Sequence, residues 1–81
     1  MNIIIAGDGK VGSMLTRQLS SEGHDITVID CDARVLQSSV ERYDVMSVQG
    51  NCASMSVLQQ AGVKDADLLI AVSVQSALSH I

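Results

Sequence analysis

Three glycines in the pattern G-x-G-x-x-G, Gly7, Gly9 and Gly12, directly follow the apolar run Ile3, Ile4, Ile5 and Ala6. That spacing suits a main-chain cradle for a phosphate. Gly7 lets the chain turn tightly off a strand, Gly9 lets backbone N–H groups approach a pyrophosphate with no side chain between, and Gly12 lets the following helix lie close to the sheet. The anion would rest on the helix N-terminus, where unpaired amides and a partial charge of about +0.5 favour it. The cradle comprises Gly7, Asp8, Gly9, Lys10, Val11 and Gly12. Asp8 is its discordant member, because it brings negative charge towards the ligand unless its side chain points outward into screening solvent. Lys10 opens the helix and is either a phosphate contact that offsets this charge or a solvated surface residue.

Asp30 stands eighteen residues beyond Gly12, at the end of a β-branched run. In that position a carboxylate accepts from the hydroxyls of an adenosine ribose. Hydrogen bonds to a charged acceptor contribute about 1.5–3 kcal/mol each, whereas a 2′-phosphate there would bring like charges together. NAD(H) or an adenine nucleotide without a 2′-phosphate is therefore expected in preference to NADP. The alternative is that Asp30 merely caps a turn. Arg34 could reach a 2′-phosphate, but an exposed charge in a first helical turn is the preferred reading.

Further polar residues fall at strand ends. Asn51 can offer a donor and an acceptor to an adenine edge, or it can simply adopt a turn. Cys31 and Cys52 end neighbouring strands, as small buried thiols or as a redox pair, and lack the C-x-x-C spacing of a metal or thioredoxin-type site. Ser73 follows the fourth apolar run and could touch the same nucleotide. His24 and His80 are isolated. No nucleophile is paired with a base, and no acid is placed for proton transfer, so catalysis is not indicated.

The elements that must hold these groups follow from periodicity. Asn2 to Ala6 reads as a strand buried on both faces, and Lys10 to Glu22 as a helix with Val11, Met14, Leu15 and Leu19 on its apolar face, stopped by Gly23. Ile26 to Ile29 is the second strand and delivers Asp30. Asp32 is placed to cap a helix with Leu36, Val40 and Tyr43 inward. Val45 to Gln49 is the third strand, and Ser54 begins a short helix ended by Gly62. Leu68 to Val72 is the fourth strand, with a further helix beginning in Ser73 to Ile81. Alternating strands and helices with right-handed crossovers give an α/β, Rossmann-like, doubly wound parallel sheet of order 3-2-1-4. Four strands make only the first half of such a sheet, so residues 1–81 are expected to be part of a larger domain.

Composition narrows the classes. The 81 residues are 47% hydrophobic, with Tyr43 the sole aromatic, so the core is aliphatic. A net charge of −4, with the basic residues dispersed, gives no footprint for nucleic acid. No apolar run reaches the roughly 20 residues of a membrane span, and no secretory leader is evident, which reads as a cytoplasmic protein.

Taken together, Ile3-Ile4-Ile5-Ala6-Gly7-Asp8-Gly9-Lys10-Val11-Gly12, Asp25-Ile26-Thr27-Val28-Ile29-Asp30, Val48-Gln49-Gly50-Asn51 and Ala66-Asp67-Leu68-Leu69-Ile70-Ala71-Val72 closely resemble the N-terminal nucleotide-binding domain of Trk-type potassium-uptake regulators, the TrkA or RCK/KTN family. The resemblance implies a cytosolic subunit at the inner face of the membrane that binds NAD(H) or ATP/ADP, assembles as dimers into a ring, and gates a potassium channel or transporter. It places Gly7, Gly9, Gly12 and Lys10 at the phosphates, Asp30 at the ribose, and Asn51 with Cys52 on the adenine side. The other reading is the cofactor-binding half of an NAD-dependent dehydrogenase, since fold alone does not fix function.

Overall fold

The computed structural model describes residues 1–72. The elements are β1 (Asn2–Ala6), α1 (Lys10–Ser21), β2 (Asp25–Asp30), α2 (Ala33–Arg42), β3 (Met46–Gln49), α3 (Met55–Gln60), a 3-10 turn (Val63–Asp65) and β4 (Leu68–Ala71). The strands form one sheet in the order β3-β2-β1-β4. Every pairing is parallel, with Ile3 beside Ile26 and Leu68, and Thr27 beside Met46. The four-stranded order expected from the sequence is thus observed; the helix expected from Ser73 lies outside the described residues.

Register decides where the core sits. Ile3 and Ile5 share a sheet face with Ile26 and Val28, and these four pack with Leu36 of α2, flanked by Leu15, Leu19, Val45, Ile70 and Val72. The opposite face buries Ile4, Ala6 and Ile29, with α3 packed against β3. The inner strands β1 and β2 are therefore enclosed on both sides, as continuous apolar runs require. β4 departs from that expectation: Leu68 and Leu69 are each 43% exposed. It pairs with β1 along one edge only.

Two helix faces differ from those read in the sequence. In α1 the inward stripe is Gly12, Leu15, Thr16 and Leu19, with Gly12 and Thr16 buried, while Val11 and Met14 are 57% and 67% exposed. The cause at the start of the helix is its closeness to the glycine turn: a Cβ on Gly12 would lie 2.0 Å from the Gly7 carbonyl oxygen, so only glycine fits there. Thr16 satisfies its hydroxyl there by donating to the Gly12 carbonyl at 2.8 Å. In α2, Leu36 points inward as expected, but Ser39 is buried and Val40 is 44% exposed. Ser39 is drawn in by a hydrogen bond to Asp8. Asp32 caps α2 as expected, accepting from the Arg34 N–H at 2.9 Å. Ser54 occupies the N-cap position of α3, but its hydroxyl makes no cap hydrogen bond and lies instead 2.9 Å from that of Ser56.

Candidate functional site

The carboxyl ends of all four strands open onto one cleft of about 860 Å³, lined by Ala6 and Gly7, Asp30 and Cys31, Gly50 to Ala53, and Ala71 and Val72. This is the crevice in which open α/β sheets bind ligands. Its walls are tied strand to strand. Gly7 N–H donates to the Ile29 carbonyl at 2.7 Å, Gly50 N–H to the Asp30 carbonyl at 2.9 Å, and Val72 N–H to the Ala6 carbonyl at 2.8 Å.

The glycine turn has the geometry its spacing implied. Gly7 adopts φ +108°, and a Cβ on it would sit 2.1 Å from the Val72 carbonyl oxygen, so both conformation and space require glycine. Gly9 differs. It is the N-cap residue of α1, with ordinary φ −75° and no side-chain cap, and a Cβ there would meet open space. The first backbone bond of the helix runs from Ser13 N–H to the Gly9 carbonyl at 2.8 Å. The amides of Lys10, Val11 and Gly12 consequently have no partner within the helix. Lys10 and Val11 are exposed. A helix start with open amides and no side chain over its cap can accept an anion.

Asp30 is held from two sides. Its Oδ2 accepts from Asp8 N–H at 2.8 Å and its Oδ1 from Asp32 N–H at 2.9 Å. The turn-capping role is therefore observed directly. Each carboxylate oxygen has a second lone pair, so capping fixes the group's direction at the cleft and leaves acceptor capacity for a ligand. Arg34 is 92% exposed and sits 3.6 Å from the Asp32 carboxylate.

The Asp8 side chain does not point outward into solvent. It is 1% exposed, directed towards α2, where Ser39 Oγ donates to its Oδ2 at 2.6 Å. Its Oδ1 has no hydrogen-bond partner among the described residues. Burial pushes its carboxyl above the ordinary value; the Ser39 hydrogen bond partly counters this, and the neighbouring Asp30 charge adds to the rise.

In the loop after β3, Asn51 is exposed, and its Oδ1 accepts from Ala53 N–H at 2.9 Å, which is the turn role with the amide NH₂ left over. Cys52 is half-buried, its thiol lying 3.4 Å from the Ile29 carbonyl as a weak donor. Burial, then the Asp30 and Cys31 charges, push that thiol upward, which disfavours a thiolate nucleophile. Cys31 is exposed, and both cysteines are free thiols. Ser73 lies outside the described residues. Sequence reasoning missed Ser39, whose signal was its i+3 spacing from Leu36. It also missed Gln49, whose Nε2 donates to the Cys31 carbonyl at 3.3 Å.

Among the described residues no group of three His, Cys, Asp or Glu side chains is arranged for a metal ion, and no helix is long and apolar enough to cross a membrane.

A parallel 3-2-1-4 sheet with a glycine turn after β1 and a carboxylate ending β2 defines a Rossmann-like α/β domain. Residues 3–80 match the TrkA-N domain, and the chain belongs to that family. It is 42% identical over 81 residues to the Trk system potassium uptake protein TrkA of Haemophilus influenzae, covering 100% of this chain and 18% of the relative. With the protein of the same name from Halomonas elongata it shares 48% identity over 73 residues, 90% of this chain and 16% of the relative. A TrkA homolog from Pyrococcus abyssi is 33% identical over 73 residues, 90% of this chain and 32% of that protein. The chain thus spans a minor part of the length of these relatives. Among solved structures, the Shewanella denitrificans Kef CTD in AMP-bound form superposes with a TM-score of 0.72 at 28% identity, over 99% of this chain and 52% of that one.

Proposed function

We propose that this domain binds an adenine nucleotide, NAD(H) or ATP/ADP, in the cleft at the strand ends, and serves as the nucleotide-sensing part of a regulator of potassium uptake. The observation that carries the reading is a cleft lined by both Gly7 of the glycine turn and the oriented carboxylate of Asp30, with the uncapped helix start at Gly9 two residues further along the chain. Phosphates would lie on the amides of Lys10, Val11 and Gly12, with Gly7 shaping the turn, the ribose on Asp30, and the adenine beside Asn51, Cys52 and Cys31. Family membership and the AMP named for the Kef structure support this placement. Asp30, Asn51 and Cys52 at the cleft each also hold main-chain groups, and the domain is read as a binding module rather than an enzyme.

Regulation would proceed by differential binding. A nucleotide favouring one arrangement of subunits shifts their equilibrium and acts on an attached membrane potassium transporter at the cytoplasmic face; one that fits every arrangement equally shifts nothing. The half-exposed β4 edge supports a larger domain and a homo-oligomer, dimeric or ring-shaped, in the complete assembly. Calorimetric titration of the protein with NAD, NADH, NADP, ATP and ADP tests the reading. At least one nucleotide lacking a 2′-phosphate should bind, with NADP weaker than NAD. Failure of every nucleotide refutes it.

A further inference from the structure

The unexplained group in this molecule is the carboxyl of Asp8. It sits between two glycines of the turn on which the phosphates are placed, yet it is buried at 1% exposure with Oδ1 unpartnered among the described residues. The groups around it are few. β2 presents the Asp30 carboxylate, tied to Asp8 through its own N–H at 2.8 Å. α2 presents the uncharged Ser39 hydroxyl at 2.6 Å, with Asp32 and Arg34 paired at its solvent end. α1 presents its N-terminal amides, while the Lys10 side chain is exposed. No cation among these groups neutralises Asp8.

The Ser39 contact works in either protonation state. A hydroxyl donates to a carboxylate or accepts from a carboxylic acid, so the 2.6 Å contact survives when Asp8 takes up a proton on Oδ2. Oδ1 then becomes a neutral carbonyl oxygen, which tolerates the lack of a partner far better than an ionised oxygen does. A bound nucleotide adds a second anion beside the first, and like charges at one site favour protonation of one of them.

We propose that nucleotide binding to this cleft is linked to proton uptake by Asp8, with the Asp8–Ser39 pair acting as the element that makes affinity fall as pH rises. The inference rests on the nucleotide reading above. Burial already holds the free carboxyl above its ordinary 3.8, and the phosphates raise it further in the complex. Affinity is then highest on the acid side of that interval. It falls by up to tenfold per pH unit across the interval, the limit for one proton, and is flat above it.

The test is calorimetry of the protein with NAD and with ADP from about pH 4, just above the ordinary carboxyl value of 3.8, to about pH 8, in buffers of differing ionisation enthalpy. Net proton uptake and weaker binding at higher pH are expected. Asp8→Asn, which resembles the neutral acid in shape, should abolish that part of the pH dependence and keep the tight acid-side affinity at neutral pH. The difference between parent and variant removes the titration of the ADP phosphate itself. Ser39→Ala removes the donor that stabilises the anion and should move the pH profile upward, a readout that remains if Asp8→Asn fails to fold. NAD binding without proton uptake overturns this inference and leaves the nucleotide reading intact. Absence of nucleotide binding at every pH overturns both.

Discussion

Substituting Gly9 by alanine separates the ligand role of the glycine turn from its folding role. The residue has φ −75° and open space at its Cβ position, so a methyl group meets neither strain nor a neighbour. As an N-cap, alanine is poorer than glycine by roughly 0.5–1 kcal/mol. Loss of glycine's freedom in the unfolded chain returns about 0.4–1 kcal/mol. The two nearly cancel, so stability should stay within about 0.5 kcal/mol of the parent, a melting shift within about 4 °C for a domain of this size. Binding should behave differently. A methyl group over the cap keeps a phosphate from the amides of Lys10 and Val11, and loss of one charge-assisted hydrogen bond costs about 1.5–3 kcal/mol. That corresponds to roughly a 10- to 150-fold weaker Kd. Thermal denaturation followed by calorimetry with NAD or ADP measures both quantities on one sample. A Gly9→Ala protein that melts normally and binds as the parent does would refute the placement of phosphate at Gly9.

Gly12→Ala should lose stability as well as binding. Its Cβ would lie 2.0 Å from the Gly7 carbonyl oxygen, so the start of α1 must shift away from the glycine turn, at about 1–3 kcal/mol or more for overpacking; an unchanged urea midpoint contradicts that contact. Asp8→Asn should stabilise the fold at neutral pH by about 1–3 kcal/mol, because it removes a buried charge with an unpaired oxygen. The folded carboxyl titrates above the ordinary 3.8, so the parent's deficit develops as pH rises through the folded value and vanishes below 3.8. Urea midpoints of the two proteins should therefore converge in acid, and a variant less stable at neutral pH would count against the buried anion. Asp30→Asn keeps an acceptor for one of its two main-chain donors but removes the charge facing the ribose. The preference for NAD over NADP should narrow by about tenfold in competition titrations, and an unchanged ratio would remove Asp30 from the ribose contact.

Much of the fold was legible because its signals are local. The run Ile3 to Ala6 and the β-branched stretch Ile26 to Ile29 became the two enclosed strands, and Asp32 became the cap of α2. The helix faces were less legible for a physical reason. Reading apolar bulk selects Val11, Met14 and Val40, whereas close packing of a helix on a sheet selects small residues at the contact line. Gly12, Thr16 and Ser39 therefore took positions that a count of large side chains assigns to solvent. Asp8 follows from the same limit. Nothing within its own hexapeptide says which way it points; the direction comes from Ser39, thirty-one residues away, a long-range contact that periodicity does not encode.

The site itself was readable as a set of residues but not as a set of partnerships. Asp30 was open to two alternatives, ribose acceptor or turn cap, and the structure shows that the second does not exclude the first. The cap uses one lone pair of each oxygen, from Asp8 N–H on the glycine turn and from Asp32 N–H at the start of α2. A carboxylate free to rotate would have to be ordered by the ligand at an entropic cost. One already fixed by the backbone is ordered before the ligand arrives. The same two bonds join the turn after β1 to the beginning of α2, which carries Ser39 and, through it, Asp8. A ligand bound as proposed at Asp30 would therefore perturb the glycine turn and the α2 start together, through contacts of 2.6–2.9 Å rather than through a distant relay.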